Sequence, residues 1–236
     1  VITTTSLSIP AIRWHLTASA IGQHLYLFGE VDSTNARLTG LARAGARAGT
    51  VLMAEGQTAG QGRRGEAWFS PSGVNLYASV LLRPGIRANE LGAFSLIGPL
   101  ALADAVKQFG ATPSIAWPND VLVDGKRLGA LLVECGTRGE MVEYVVLGVG
   151  VNLNVDLSEL RAALGAAGAG ATSLAAVTGH DIDRNAFAAA YLNHLDRWAY
   201  VWETQGAEGI TAAWRRRQDT PDSRHVLTAD RASILN

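Results

Sequence analysis

The stretch Gln57-Thr-Ala-Gly-Gln-Gly-Arg-Arg-Gly-Glu-Ala-Trp68 constrains this chain more than any other. It packs three glycines and two adjacent arginines between two apolar runs, Val51–Ala54 and Asn75–Leu82. Both runs are short and apolar enough to read as buried strands. The chain therefore builds a sheet and hangs a basic loop from it. Glycine lets backbone N–H groups approach a ligand closely, and arginine offers a planar, permanently charged fork to carboxylate or phosphate. Together they suit a polyanionic small molecule. A solvated glycine-rich hairpin with incidental arginines is the bland alternative for the loop on its own.

The rest of the pattern extends that sheet. His24–Val31 alternates as a strand does. Asp32-Ser-Thr-Asn35 follows as a polar turn, and Asp32 or Ser33 can cap a helix running to about Ala46. Apolar spacing over 89–109 predicts a buried helix, with Pro99 kinking it or marking its true start. Residues 114–117 read as a strand, Pro118-Asn119-Asp120 as a turn, and 121–128 as a hairpin with Asp124-Gly125 at its tip. Residues 128–134 and 144–151 are strongly apolar strands, whereas 155–180 are rich in Ala and Gly and resist placement. Phe187, Tyr191, Leu195, Trp198 and Trp202 mark an amphipathic helix over 184–203. This order implies an α+β fold, with helices packed on one face of a mainly antiparallel sheet.

At 236 residues the chain suits one domain, or one plus a small appendage. A formal net charge of −1 gives no global footprint for nucleic acid. The lone cysteine, Cys135, excludes an internal disulfide and a cysteine metal cluster, which makes the cytoplasm the default compartment. No secretory leader pattern opens the sequence, and no apolar run is long enough for a membrane span.

Four polar clusters interrupt this apolar framework: Asp32–Asn35, Gln57–Trp68, Trp117-Pro-Asn-Asp120, and Lys126-Arg127 together with Gly148-Val-Gly-Val-Asn152. Most of them begin or end a strand, where side chains can converge on one rim of a sheet. In this order and spacing, with Leu131-Leu-Val-Glu134, they closely resemble the biotin protein ligases over roughly residues 24–155. The resemblance implies a class II synthetase-like biotin/lipoate ligase catalytic fold. It also implies a two-step reaction, in which biotin and ATP form biotinyl-5′-AMP and the biotinyl group then passes to a lysine of a biotin carboxyl carrier domain.

By resemblance, Ser33, Thr34, Asn35 and Gln57 belong to the biotin site, with Gly60, Gln61, Gly62, Arg63 and Arg127. Neutral hydrogen-bonding groups suit the neutral ureido ring. Ser33 can also cap its helix, and Asn35 can serve simply as a first-turn residue. Arg63 would hold adenylate oxygens, and Arg64 would join it or face solvent. Trp68 would cover the adenylate or pack in the core. Asn119 and Asp120 would serve ATP or form an Asx-type turn, with Asp120 the candidate Mg2+ ligand. Asn152 would face the nucleotide.

Three positions depart from the commonest family form. Gln61 stands where arginine is usual, Ala116 where lysine precedes Trp117, and Arg127 where the hairpin lysine aligns. Adjacent strand residues face opposite ways, so only one of Lys126 and Arg127 points into the site. Alignment favours Arg127, and Lys126 takes its place only if the strand slips by one. The family's catalytic domain, expected here as 1–211, is normally followed by an SH3-like barrel. Residues 212–236 read as a truncated remnant of it, with one plausible strand near His225–Leu227. No N-terminal DNA-binding domain is expected. A homodimer stays open, because the apolar pattern does not separate a dimer edge from a core strand.

Overall fold

The computed structural model describes residues 6–218, so the strand expected near His225–Leu227 lies outside the described residues. In chain order the elements are α1 (Ile9–His15), β1 (His24–Val31), α2 (Thr34–Arg43), β2 (Thr50–Gln57), β3 (Leu76–Leu82), α3 (Leu91–Ser95), α4 (Ile97–Gln108), β4 (Pro113–Ala116), β5 (Asp120–Val123), β6 (Lys126–Arg138), β7 (Met141–Val151), α5 (Leu157–Leu164), α6 (Leu174–Thr178) and α7 (Arg184–Arg215). Among the described residues the strands form one seven-stranded sheet, ordered β1-β2-β3-β7-β6-β5-β4. Only β1 and β2 pair in parallel; every other neighbouring pair is antiparallel. The α+β architecture with a mainly antiparallel sheet is therefore what the chain adopts.

Strand alternation sends two sets of side chains to opposite faces. Val51 and Met53 of β2, Ala78 and Val80 of β3, and Leu147 and Val149 of β7 join the main core under α4 and α7. Leu52, Leu81, Tyr144 and Val146 point the other way and receive Leu38 and Ala42 of α2. The helices are thus not all on one face. The helix between β1 and β2 crosses to the opposite side, because its apolar stripe is short and matches this smaller patch. Burying Leu38 there contributes roughly 2 kcal/mol.

Pro99 sits in the first turn of α4, where a missing N–H costs nothing, and the break falls at Leu96. The Ala- and Gly-rich stretch resolves into α5, capped by the Asp156 side chain, a 3-10 turn over Gly165–Gly170, and α6, closed by Gly179 at φ 80°. The helix expected over 184–203 runs on to Arg215, with a break at Gly206, where φ is 62°. Ile210, Ala213 and Trp214 belong to the main core, so the expected boundary after 211 falls inside a packed helix. No helix among the described residues is long and apolar enough to cross a membrane.

Candidate active site

The face of the sheet that carries α2 is left partly uncovered beyond the helix, and a cavity of about 470 Å3 opens there. Its floor is made by β6 and β7, and small residues keep it low. A Cβ at Gly148 would come within 2.1 Å of Asn35 Oδ1, and one at Gly150 within 2.5 Å of Trp68 Nε1. These two glycines, on the same face of β7, let the α2 turn and the loop tryptophan lie directly on the strand.

One wall is neutral. Ser33 caps α2 by accepting from Ala36 N at 3.4 Å, so capping and cavity lining coincide in one residue. Gln57 Oε1 accepts from the Thr34 backbone N–H at 2.9 Å and lies 3.2 Å from Thr34 Oγ1, while its Nε2 donates to Ser70 Oγ at 3.1 Å. Asn35 also reaches the cavity, but both ends of its amide are engaged. Its Oδ1 accepts from Ser79 Oγ at 2.6 Å, and its Nδ2 donates to Leu132 O at 3.3 Å. Its work here is to pin α2 to the sheet. Asp32 stays off the cavity, where the Ser33 N–H and then Arg37 hold its carboxyl below the ordinary value.

The glycine-rich loop closes a second wall as a small hairpin. Gly62 N donates to Glu66 O at 2.7 Å, and Trp68 N donates to Gly60 O at 2.9 Å. The tip, Arg64-Gly65, takes positive φ at both residues, 56° and 74°. Gln61, Gly62, Arg63, Arg64 and Trp68 line the cavity. Gly60 does not; it packs tightly under Ser70 and the Trp68 carbonyl, where a Cβ would meet Ser70 Oγ at 2.5 Å. The Trp68 indole N–H is buried without a hydrogen-bond partner, a donor left over inside the site.

The third wall is the turn after the cis Trp117–Pro118 peptide. Trp117 rests edge-on against Trp214, at 5.3 Å between centroids. Asn119 bridges two walls, accepting from Arg63 at 3.4 Å and donating to the Leu131 carbonyl. Asp120 pairs with Arg127 at 3.0 Å. Burial raises the Asp120 carboxyl above its ordinary value, opposed in part by Arg127 and Arg63.

The choice between Lys126 and Arg127 is decided by a bulge. Val121 faces Gly129 but Leu122 faces Arg127, so Leu128 is an extra residue in β6. Both Leu128 and Gly129 then turn to the core, and Arg127 points with Asp120 into the cavity. Lys126 pairs with Val123, is exposed and does not line the cavity, so of the two it is Arg127 that reaches it. Asn152 is also displaced from its expected place. It is 3% exposed, does not line the cavity, and donates to Thr172 O at 3.1 Å, because β7 ends at Val151 and the chain turns toward α6. Conversely, Ser79 went unmarked in the sequence. Its only signal was one polar residue on the Tyr77-Ser79-Leu81 face of a buried strand.

An open-edged mixed sheet with helices on both sides, and a loop-covered pocket on one of its faces, make an α+β domain of the class II synthetase type. A model of the biotin/lipoate A/B protein ligase family matches residues 27–152. The chain is 34% identical over 197 residues to the biotin--[acetyl-CoA-carboxylase] ligase of Paracoccus denitrificans, covering 81% of this chain and 79% of that one. It is 31% identical over 209 residues to the bifunctional ligase/repressor BirA of Bacillus subtilis, covering 88% of this chain but only 63% of that relative. It superposes on the biotin protein ligase from Aquifex aeolicus in complex with biotin and ATP with a TM-score of 0.69 at 26% identity, covering 84% and 79% of the two chains. This chain belongs to the biotin/lipoate A/B protein ligase family.

Proposed function

We propose that this protein is an ATP-dependent biotin protein ligase. In the first step the biotin carboxylate attacks the α-phosphate of ATP, forming biotinyl-5′-AMP and releasing pyrophosphate. In the second, the amine of a carrier-domain lysine attacks the acyl carbon, an amide forms and AMP leaves. The observation that carries this reading is the division of one cavity into two chemistries. Ser33, Thr34 and Gln57 make a neutral end that fits a ureido ring, and Arg63 and Arg127 make a cationic end that fits two anions brought together. The named relatives and the Aquifex complex with biotin and ATP support the same assignment.

Arg63 and Arg127 neutralise the approaching carboxylate and phosphate, and Arg127 gives up Asp120 to do so. Trp68 closes over the mixed anhydride and limits its hydrolysis. Among the described residues no cluster of three metal-ligating side chains exists. That fits an ion carried mainly by nucleotide phosphates and water, with Asp120 as its protein carboxylate. Mg2+ bound in this way would offset phosphate charge. The partner is a biotin carboxyl carrier domain, and the setting is the cytoplasm.

The test is the intact mass of a carrier domain incubated with the protein, biotin, ATP and Mg2+. One added biotinyl group is expected. Pyrophosphate release without mass gain would restrict the activity to adenylation. Neither signal would reduce the protein to a binder and overturn the proposal.

A further inference from the structure

The charged side chains that line the cavity among the described residues are Arg63, Arg64 and Arg127 against Glu66 and Asp120. Their partners differ. Arg127 and Asp120 hold one another at 3.0 Å, and Arg63 donates to Asn119 at 3.4 Å. Glu66 carries a charge that no ion pair among the described residues neutralises.

The backbone explains where Glu66 stands. The loop hairpin sets Gly62 opposite Glu66, N to O at 2.7 Å, and Glu66 N donates to Arg63 O at 3.1 Å. Gly62 offers no side chain to cover it, so Glu66 is exposed at the rim, next to the Arg64-Gly65 tip. It is still close enough to act on the opposite wall. Burial raises the Asp120 carboxyl, Arg127 and Arg63 oppose that, and Glu66 raises it further, so the two carboxylates feel one another across the cavity.

The two half-reactions ask opposite things of such a site. Adenylation brings two anions together, which the arginines favour. Transfer admits a lysine from outside, and in water that lysine is an ammonium with an ordinary pKa of about 10.4. Arg63 and Arg64 repel it. We infer that Glu66 receives the ammonium of the acceptor lysine at the rim and brings it to the adenylate, a role that rests on the ligase reading above. A carboxylate beside the arginines but not paired with them offers the ammonium a charge-assisted hydrogen bond where it enters. Asp120 is unsuited to the task, since it is held by Arg127 and its burial favours the neutral acid. From that contact the ammonium passes one proton through the carboxylate to water, and the freed lone pair forms the bond to the acyl carbon. The nitrogen loses its second proton to solvent, and AMP departs with the electrons of the acyl C–O bond.

The experiment is a single turnover of the full chain preloaded with biotinyl-5′-AMP, mixed either with a saturating carrier domain or with hydroxylamine. Hydroxylamine is uncharged at neutral pH and has no ammonium to be received. In Glu66→Gln the ratio of carrier transfer to hydroxylamine capture is expected to fall at least about tenfold, the scale of one charge-assisted contact. Glu66→Asp keeps the charge and recovers most of the loss. The deficit of the Gln variant shrinks as pH rises toward the ordinary lysine value, because the incoming amine is then neutral, a dependence that a merely structural role would not produce. An unchanged ratio overturns the inference. So does a loss that saturating carrier abolishes, which would make Glu66 part of a docking surface. A loss confined to ATP-dependent adenylation and relieved by added Mg2+ also overturns it and assigns Glu66 to the nucleotide's metal. Wild-type protein that passes biotin to neither nucleophile would defeat the ligase reading itself, and this role with it.

Discussion

Gly148→Ala is expected to damage the fold through one identified collision. The new methyl would fall 2.1 Å from Asn35 Oδ1, far inside contact distance. Asn35 cannot move without losing Ser79 at 2.6 Å and the Leu132 carbonyl at 3.3 Å. Each lost bond costs about 1 kcal/mol, and more where a buried partner is left unsatisfied. Forcing a methyl into a filled space adds about 1–3 kcal/mol. The sum is about 3–5 kcal/mol, or a fall in Tm of roughly 10–15 °C for a chain of this size. Asn35→Ala alone loses the bonds without the collision and costs about 2 kcal/mol. With the Asn35 amide already removed, Gly148→Ala loses its three nearest collisions and adds little, so the double-mutant cycle yields a coupling of about 3–5 kcal/mol. Urea unfolding of the four proteins measures it. If the two losses simply add to within about 0.5 kcal/mol, the collision is not the mechanism and Asn35 is not the pin that holds α2.

Arg63→Ala is expected to slow pyrophosphate release at least about tenfold, the scale of one charge-assisted contact; an unchanged rate removes Arg63 from the site. Gln61→Arg adds a cation to the cavity rim and is expected to tighten biotinyl-AMP binding in calorimetry, whereas no change would mean that the side chain turns to solvent. Asp120 binds its proton more tightly folded than unfolded, so its contribution to stability is fully present below the unfolded pKa and is lost as pH rises through the raised folded value. Asp120→Asn should therefore flatten the stability profile from about pH 4 upward and raise stability at neutral pH while adenylation falls; a less stable neutral protein would show that the Arg127 pair outweighs burial.

Much of the fold was legible because its signals are local. Strands β2, β3, β6 and β7 announce themselves as apolar runs, Ser33 as an N-cap, and Asp124-Gly125 as a hairpin tip, each within a few residues. The four polar clusters were readable for the same reason, and most of the residues in them do meet around one cavity. Residues 155–180 were not legible, since short Ala- and Gly-rich helices take their shape from what they pack against.

What tertiary structure alone decided is where strand-end side chains point. Pleating makes direction a matter of parity, and one extra residue reverses it. The bulge at Leu128 turned Arg127 inward and Lys126 outward, although the two are neighbours with the same charge. The end of β7 took Asn152 out of the pocket, and the opposite face of β3 brought Ser79 under it. The sequence by itself determined which chemistry the chain carries, because residue type is local. Which of those residues face the ligand was decided by register and packing, which join positions far apart in the chain.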